Sequence, residues 1–389
     1  MNRKPPGRQN WPDSASRPLV NPLQPSVVYT SASPDALDGQ YEGREKAFTY
    51  AREGHPNAEA LAERLNALEG AQHGIVTGSG MAAVAAALMA LLKSGDHAVG
   101  GAQLYGRSLR MFKEELPRWG VATDFVDTTS VEAVAAVLRP NTKLILIEVL
   151  SNPGLRVSDL DGILALGRKR DIPVLVDNTF TTPALLRPLE RGAAIVIESV
   201  TKILAGHSDA TLGYVGTNDA ALAQRMTDVI VTTGMTPSPF DCWIAERGLM
   251  TFELRFERAM ANAEALAEAL ASHPKVASVY YPTRADHPDQ ALAASLMSGG
   301  SHLVSFVIEG GRAASNALVE ALPDVAFAPT LGDVATTLSH PATSSHRALS
   351  VEERAAIGLP EGFFRVSVGC ERAEDLIANF RRALDVLPD

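Results

Sequence analysis

Between residues 73 and 217 short apolar runs alternate with helical stretches, and this alternation constrains the fold more than any other feature. The runs are "HGIVT", "HAVGG", "ATDFVD", "KLILIEVL", "IPVLVDNTF", "AAIVIESVTK" and "TLGYVGT". Among them lie "GMAAVAAALMALL", "SVEAVAAVL" and "LDGILALGRKR", whose apolar spacing is helical. Strands that are apolar nearly throughout must be covered on both faces, which is the pattern of a mostly parallel α/β sheet. Upstream, "NAEALAERLNALEG" predicts a helix with Leu61, Leu65 and Leu68 on one face and Gly70 as its stop.

Past about residue 240 the texture changes. "DCWIAERGLMTFELRFERAMANAEALAEALASH" reads as one long amphipathic helical stretch. "VASVYYP", "HLVSFVIE" and "FFRVSVG" alternate polar and apolar residues as half-buried strands do, and "AEDLIANFRRALDVL" closes the chain as a helix. The expected organisation of the 389 residues is an N-terminal arm (1–50) of irregular, proline-bearing chain, a large domain (51–240) and a smaller C-terminal α+β domain (241–389).

Charge narrows the partners. Thirty-five basic residues against 45 acidic ones leave a formal net charge of −10, with no basic block, so a nucleic-acid or anionic-membrane surface is not expected. Cys242 and Cys370 stand far apart with no Cys-x-x-Cys spacing, which argues against a disulfide framework or structural zinc and fits a reducing compartment. The polar start "MNRKPPGRQNWPDSASRP" lacks the apolar centre of a secretory signal, and no apolar run is long enough to span a bilayer. A cytoplasmic location is expected.

In an open parallel sheet, ligands collect outside the carboxyl ends of the strands. At those ends the sequence places Ser79-Gly80-Met81, then Glu148 with Asn152-Pro153, then Asp177-Asn178-Thr179, then Ser199, Thr201 and Lys202. Each has an ordinary reading: a glycine turn, a helix cap, locally satisfied hydroxyls, a solvated strand-end lysine. Ser199 and Thr201, taken as alternating along one strand, would face the same side. Together they make a phosphate cup at a helix N-terminus, an acid, hydroxyls and an amine on one rim. Pyridoxal phosphate needs that set: a lysine for the Schiff base, an aspartate to keep the ring nitrogen protonated, and a stacking aromatic, for which Tyr105 in "QLYGRS" is placed. No HExxH, metal-ligand spacing, Walker lysine or dinucleotide fingerprint competes.

The ordered set "YAREGHPN", "TGSGMAA", "LYG", "EVLSNP", "VDNTF", "SVTKILAGHSD", "RGLMTF", "TLGDVATTLSHPA" and "FFRVSVG" resembles the trans-sulfuration enzymes of cysteine and methionine metabolism. These are fold-type I pyridoxal-phosphate proteins such as cystathionine γ-synthase, the cystathionine lyases, methionine γ-lyase and acylhomoserine sulfhydrylase. The resemblance runs from about residue 20 to the C-terminus. It implies that Lys202 carries the cofactor and shuttles protons, and that Asp177 pairs with the pyridinium nitrogen. It further implies that Gly80, Met81, Ser199 and Thr201 hold the phosphate and that Tyr105 stacks on the ring. Asn152 and Arg365 would bind the substrate α-carboxylate, Arg365 as a bidentate fork, and Thr336 would orient Lys202. Tyr50 and Arg52 would reach the phosphate of a neighbouring subunit, which implies a homodimer with shared sites, usually assembled into a tetramer.

The implied chemistry is elimination or replacement at Cβ or Cγ of a sulfur-containing or O-acylated amino acid, of the cystathionine γ-synthase or γ-lyase kind. Acylhomoserine sulfhydrylase and methionine γ-lyase remain alternatives, and a fold-type I aminotransferase is the rival from another class. The chain departs from the pattern at three places. Ala335 replaces a glutamate common in cystathionine-handling members. Arg107 follows Tyr105-Gly106 where glycine, or the cysteine of methionine γ-lyases, is usual; it either attracts a second anionic group or bridges to a neighbouring chain. His55-Pro56 alters the neighbour-facing loop.

Overall fold

The computed structural model describes residues 14–347 and 350–387. Seven strands form the first sheet: β1 (His73–Thr77), β2 (His97–Gly101), β3 (Ala122–Val126), β4 (Thr142–Glu148), β5 (Val174–Asp177), β6 (Ile195–Glu198) and β7 (Gly213–Thr217), in the spatial order β1-β7-β6-β5-β4-β2-β3. β2 to β6 pair in parallel with one another and with β3, while β7 runs antiparallel to both its neighbours, β1 and β6. The carboxyl ends of β1, β4, β5 and β6 therefore open on one rim. Two apolar layers cover the faces. One includes Leu61, Leu65, Ile145, Val176 and Val196; the other includes Val84, Leu88, Leu146, Leu175 and Ile197. Consecutive strand residues appear in opposite layers, which is why these strands carry almost no polar positions.

The helix Pro56–Glu69 forms as expected. Leu61 and Leu65 are fully buried, and Gly70 ends it in the left-handed conformation (φ 69°). The smaller sheet holds β8 (Val276–Tyr280), β9 (Leu303–Ile308), β10 (Ala326–Phe327), β11 (Thr337–Ser339) and β12 (Phe363–Ser367), ordered β10-β11-β12-β9-β8 and antiparallel except at β10–β11. Its core packs Leu266, Leu270, Phe306 and Phe364 with Leu376 and Phe380 of the helix Ala373–Asp385.

Two expectations are corrected. The long helical stretch is two helices, Pro239–Leu249 and Phe252–Ala271, broken at Met250-Thr251, where Gly248 loosens the end of the first. The arm is not wholly irregular: Pro34–Tyr41 is a helix capped by the Ser33 side chain, with proline at its first position. Residues 1–13 of the expected arm lie outside the described residues. Among the described residues no helix is long and apolar enough to cross a membrane.

Candidate active site

The rim assembles from short turns at the strand ends. After β1, Ser79 caps the helix Gly80–Leu91 by accepting the Ala82 N–H (3.1 Å). Gly80 and Met81 then occupy the first turn, where helix N–H groups have no intrahelical partner. A side chain at position 80 would not fit: a Cβ there would lie 2.8 Å from Ser199 Cβ. The glycine thus lets the β6 end close against the helix N-terminus, giving a cup with backbone donors on one wall and the Ser199 hydroxyl on the other.

β6 ends at Glu198, earlier than the apolar run indicated. Ser199 and Thr201 therefore do not alternate along a strand, because the chain has already turned: the Lys202 N–H donates to Ser199 O (3.0 Å), and the Gly206 N–H donates to Lys202 O (2.8 Å). Ser199 faces Gly80, whereas the Thr201 hydroxyl donates to Leu212 O (3.1 Å) and accepts the Leu212 N–H (2.9 Å). This turn keeps Lys202 at the same strand end as Ser199. Lys202 is partly buried and forms no ion pair among the described residues; burial, assisted by the positive charge of Arg365, holds its amine below the ordinary lysine range. Gly332 (φ 81°) presses on the lysine from the small domain, for a Cβ there would sit 2.3 Å from Ile203 N.

Asp177 ends β5 directly opposite Glu148 of β4. Both the N–H and the hydroxyl of Thr179 donate to its Oδ1 (3.1 and 2.6 Å), and the Thr179 hydroxyl accepts the Ser199 N–H (2.9 Å). Thr179 therefore ties the β5 and β6 ends together and leaves Oδ2 for a ligand. Burial pushes the Asp177 carboxyl up, against the Thr179 hydrogen bonds. A cation brought to Oδ2 reverses that balance. The Tyr105 N–H donates to Glu148, whose carboxyl burial and the charge of Asp177 push well above the usual range. The Tyr105 ring stands exposed at the mouth.

Arg365 on β12 is the small domain's contribution. It is buried, donates Nη1–H to Asn152 Oδ1 (2.6 Å) and Nη2–H to Thr330 O (2.8 Å), and lies 5.9 Å from the centroid of the Phe180 ring. Its Nε is buried without a partner, and desolvation brings the guanidinium down to about 10. Asn152 precedes a cis peptide to Pro153. Lys202, Asp177, Gly80, Met81, Ser199, Tyr105 and Asn152 thus follow the strand ends of one rim, and Arg365 is joined to it through Asn152.

The Thr336 hydroxyl donates to Glu371 Oε2 (2.9 Å) and accepts the Gly369 N–H (2.9 Å), and among the described residues no hydrogen bond joins it to Lys202. Tyr50 and Arg52 are exposed and lean on each other; the Arg52 Nη1–H goes to Val231 O (3.1 Å). None of their recorded contacts reaches Lys202. Thr179, Phe180 and Thr330 were not assigned roles from sequence, though Asp177-x-Thr179 is a recognisable local turn pairing.

Pyridoxal phosphate fits this geometry. The cradle that excludes a Cβ at Gly80 suits a phosphate, the open Asp177 oxygen suits a ring N–H, and the unpaired Lys202 amine suits the aldehyde carbon. Fold and rim together define a fold-type I pyridoxal-phosphate enzyme. The family model described as "Cys/Met metabolism PLP-dependent enzyme" matches residues 8–385, and the chain belongs to that family.

Similarity extends to individual members. L-methionine gamma-lyase of Porphyromonas gingivalis is 36% identical over 371 residues, covering 95% of this chain and 93% of that protein. Cystathionine beta-lyase MetC of Bacillus subtilis is 41% identical over 338 residues, covering 87% and 86%. The crystal structure of cystathionine gamma synthase from Xanthomonas oryzae pv. oryzae, in complex with cystathionine, superposes with a TM-score of 0.90 at 37% identity, covering 96% of this chain and 94% of that one. The protein is thus a pyridoxal-phosphate-dependent enzyme of the trans-sulfuration type, a lyase or transferase of carbon–sulfur chemistry.

Proposed function

We propose that the protein acts on a sulfur-containing or O-acylated amino acid at Cβ or Cγ, in the manner of cystathionine γ-synthase or γ-lyase, with Lys202 and Asp177 as its central pair. The observation that carries this reading is the partly buried Lys202 amine, without an ion pair among the described residues, on the rim that also carries the Asp177 carboxyl and the Gly80–Ser199 cup and within the field of Arg365. When bound, pyridoxal phosphate supplies an electron sink for negative charge at Cα. Asp177, whose Oδ2 Thr179 leaves open, would hold the ring nitrogen and keep it cationic. Gly80 and Met81 donate backbone N–H groups to the phosphate, as does the Ser199 hydroxyl. Thr201 joins them by exchanging its Leu212 acceptor. Tyr105 covers one face of the ring.

Arg365 and Asn152 take the α-carboxylate. The unpartnered Arg365 Nε and a guanidinium already desolvated favour an anion there. With the carboxylate fixed there, Lys202 would be the basic group available to the Cα proton. Because burial holds the lysine amine below its ordinary range, a larger share of it is neutral, and Lys202 would accept that proton and return it on the leaving group's side. Thr336 supports the small-domain loop by which Gly332 braces Lys202, a positioning role.

Tyr50 and Arg52 complete the phosphate site of a second copy, in a dimer that pairs into a tetramer. Support comes from the arm, where Leu19, Val20, Val27 and Val28 are all more than half exposed, an apolar surface that a second subunit would cover. The arm (1–50), large domain (51–240) and small domain (241–389) are the working units. A cytoplasmic location is supported by the free cysteines Cys242 and Cys370.

The test is the cofactor's visible absorption together with products. In Lys202→Ala the covalently held cofactor band disappears; its survival refutes the assignment. A substrate panel then separates the chemistries. A 2-oxo acid with released thiol or amino acid marks elimination, cystathionine or homocysteine formed only from an acylhomoserine and a thiol marks replacement, and the amine form of the cofactor marks transamination.

A further inference from the structure

Behind the rim lies a second carboxyl group pair that the reaction as described does not use. At adjacent strand ends, Asp177-Asn178 and Glu198-Ser199 each send one residue forward and one inward. Asp177 and Ser199 face the cup. Asn178 and Glu198 turn into the protein, where both are buried with Glu69, the last residue of the helix Pro56–Glu69. Glu198 lies within hydrogen-bond reach of Glu69. One donor serves the pair among the described residues: Asn178 Nδ2–H to Glu69 Oε1 (3.3 Å). Glu69 Oε2 and both Glu198 oxygens are buried without partners.

The surroundings offer little compensation. Asp177, on the cup side of β5, adds its own negative charge and raises Glu198 further. Tyr214, paired with Glu198 across β6–β7, gives its hydroxyl to Asn66 Oδ1 (2.8 Å). Arg187 acts only at a distance and is already bonded to Glu190 (3.1 Å) at the start of the helix Pro188–Arg191, with Glu190 opposing it. Two touching carboxylates cannot both be charged in such a site, whereas one carboxylic acid donating to one carboxylate satisfies two of the orphaned oxygens.

We propose that Glu69 and Glu198 share a single proton, and that the one negative charge of this pair, set behind Asp177, helps hold the cofactor's ring nitrogen in its cationic form. Glu198 is thus a positioning residue that acts through Asp177. The proposal rests on the reading that Asp177 meets the ring nitrogen. A negative charge behind Asp177 makes the carboxylate and ring nitrogen together more basic, so the proton between them stays. Burial raises both glutamates, Glu69 to about 7, so the pair takes its second proton close to neutrality and the support is then lost.

The experiment measures pyridoxal phosphate affinity and the bound cofactor's visible spectrum from pH 6 to pH 9. In the wild type, affinity falls by on the order of tenfold as the pair becomes neutral on acidification. In Glu198→Gln the new amide donates to Glu69 and stabilises its carboxylate, which removes that step from the neutral range. Glu69→Gln leaves Glu198 as a neutral acid, so affinity at pH 8 drops to the wild-type acid value. An infrared difference spectrum, wild type minus Glu198→Gln, shows loss of an un-ionised carboxyl band. A wild type without the step, a Glu198→Gln variant that keeps it, or an unchanged carboxyl band overturns the proposal, and the wild-type measurement decides even if a variant fails to fold. Asp177→Asn separates the two readings. Loss of cofactor there with pH-invariant behaviour elsewhere refutes the pair's role alone, while retained affinity refutes the placement of Asp177 and the proposal with it.

Discussion

Arg365 shows how one residue carries a demand that its folded partners only half meet. Its guanidinium has five N–H donors in a fixed fork; Asn152 and Thr330 each take one, and Nε takes none. Desolvating a cation this far is costly unless an anion arrives, so if Arg365 binds the substrate carboxylate as proposed, that cost would be offset on binding. Arg365→Ala is expected to raise KM for the amino acid by about a hundredfold, the loss of a charge-assisted bidentate contact. Arg365→Lys recovers only part, because an ammonium does not present a fork. Steady-state kinetics check this; an unchanged KM with depressed kcat would place the carboxylate elsewhere. Arg107, exposed two residues beyond Tyr105, keeps its two sequence readings, since no hydrogen bond or ion pair engages its side chain among the described residues.

At the scale of elements, the site exists because helix and strand ends close on one another. Gly80 is the tightest of these closures. In Gly80→Ala the new methyl meets Ser199 Cβ and Oγ at 2.8 and 3.0 Å. Overpacking of this kind costs about 1–3 kcal/mol, while alanine gives back up to about 1 kcal/mol in helix propensity. Cofactor affinity is therefore expected to fall about tenfold or more with a smaller loss of stability in the cofactor-free protein. Titration with pyridoxal phosphate beside denaturant unfolding distinguishes this from general disruption, in which both fall together. The same scale explains what the sequence disclosed. The placement of Lys202, Asp177 and the Gly80–Met81 turn at strand ends was legible because each follows an apolar run, and strand ends converge whatever the details of packing. The reversed direction of β7 was not, since periodicity carries no direction. Nor was the meeting of Glu69 with Glu198, which only the joining of the helix Pro56–Glu69 to the sheet brings about. The turn after Glu198 was masked because apolar Val200 and Ile203 prolong the strand-like pattern.

For the whole molecule, the question is why residues that the family pattern assigns to the phosphate stand away from it. Tyr29 and Ala51 tie the arm back on itself through Thr49 O (3.1 Å) and Val27 O (2.8 Å), a short two-stranded contact that presents Tyr50 and Arg52 outward. Tyr50, Val27 and Val28 are exposed along it. In a symmetric dimer the arm of each copy would enter the other's cup, so Lys202 and Arg52 of one site come from different chains. This predicts complementation. Arg52→Ala and Lys202→Ala enzymes are each expected to be nearly inactive, since every site in either homodimer lacks one group. Unfolded together and refolded in equal amounts, random pairing makes half the dimers mixed, and each mixed dimer has one site with both groups intact. About a quarter of the wild-type activity should return. Mixing without refolding gives no recovery if subunits do not exchange. If co-refolded enzyme stays at the level of its parents while wild type refolds to full activity, Arg52 serves its own chain, and the shared-site dimer is refuted.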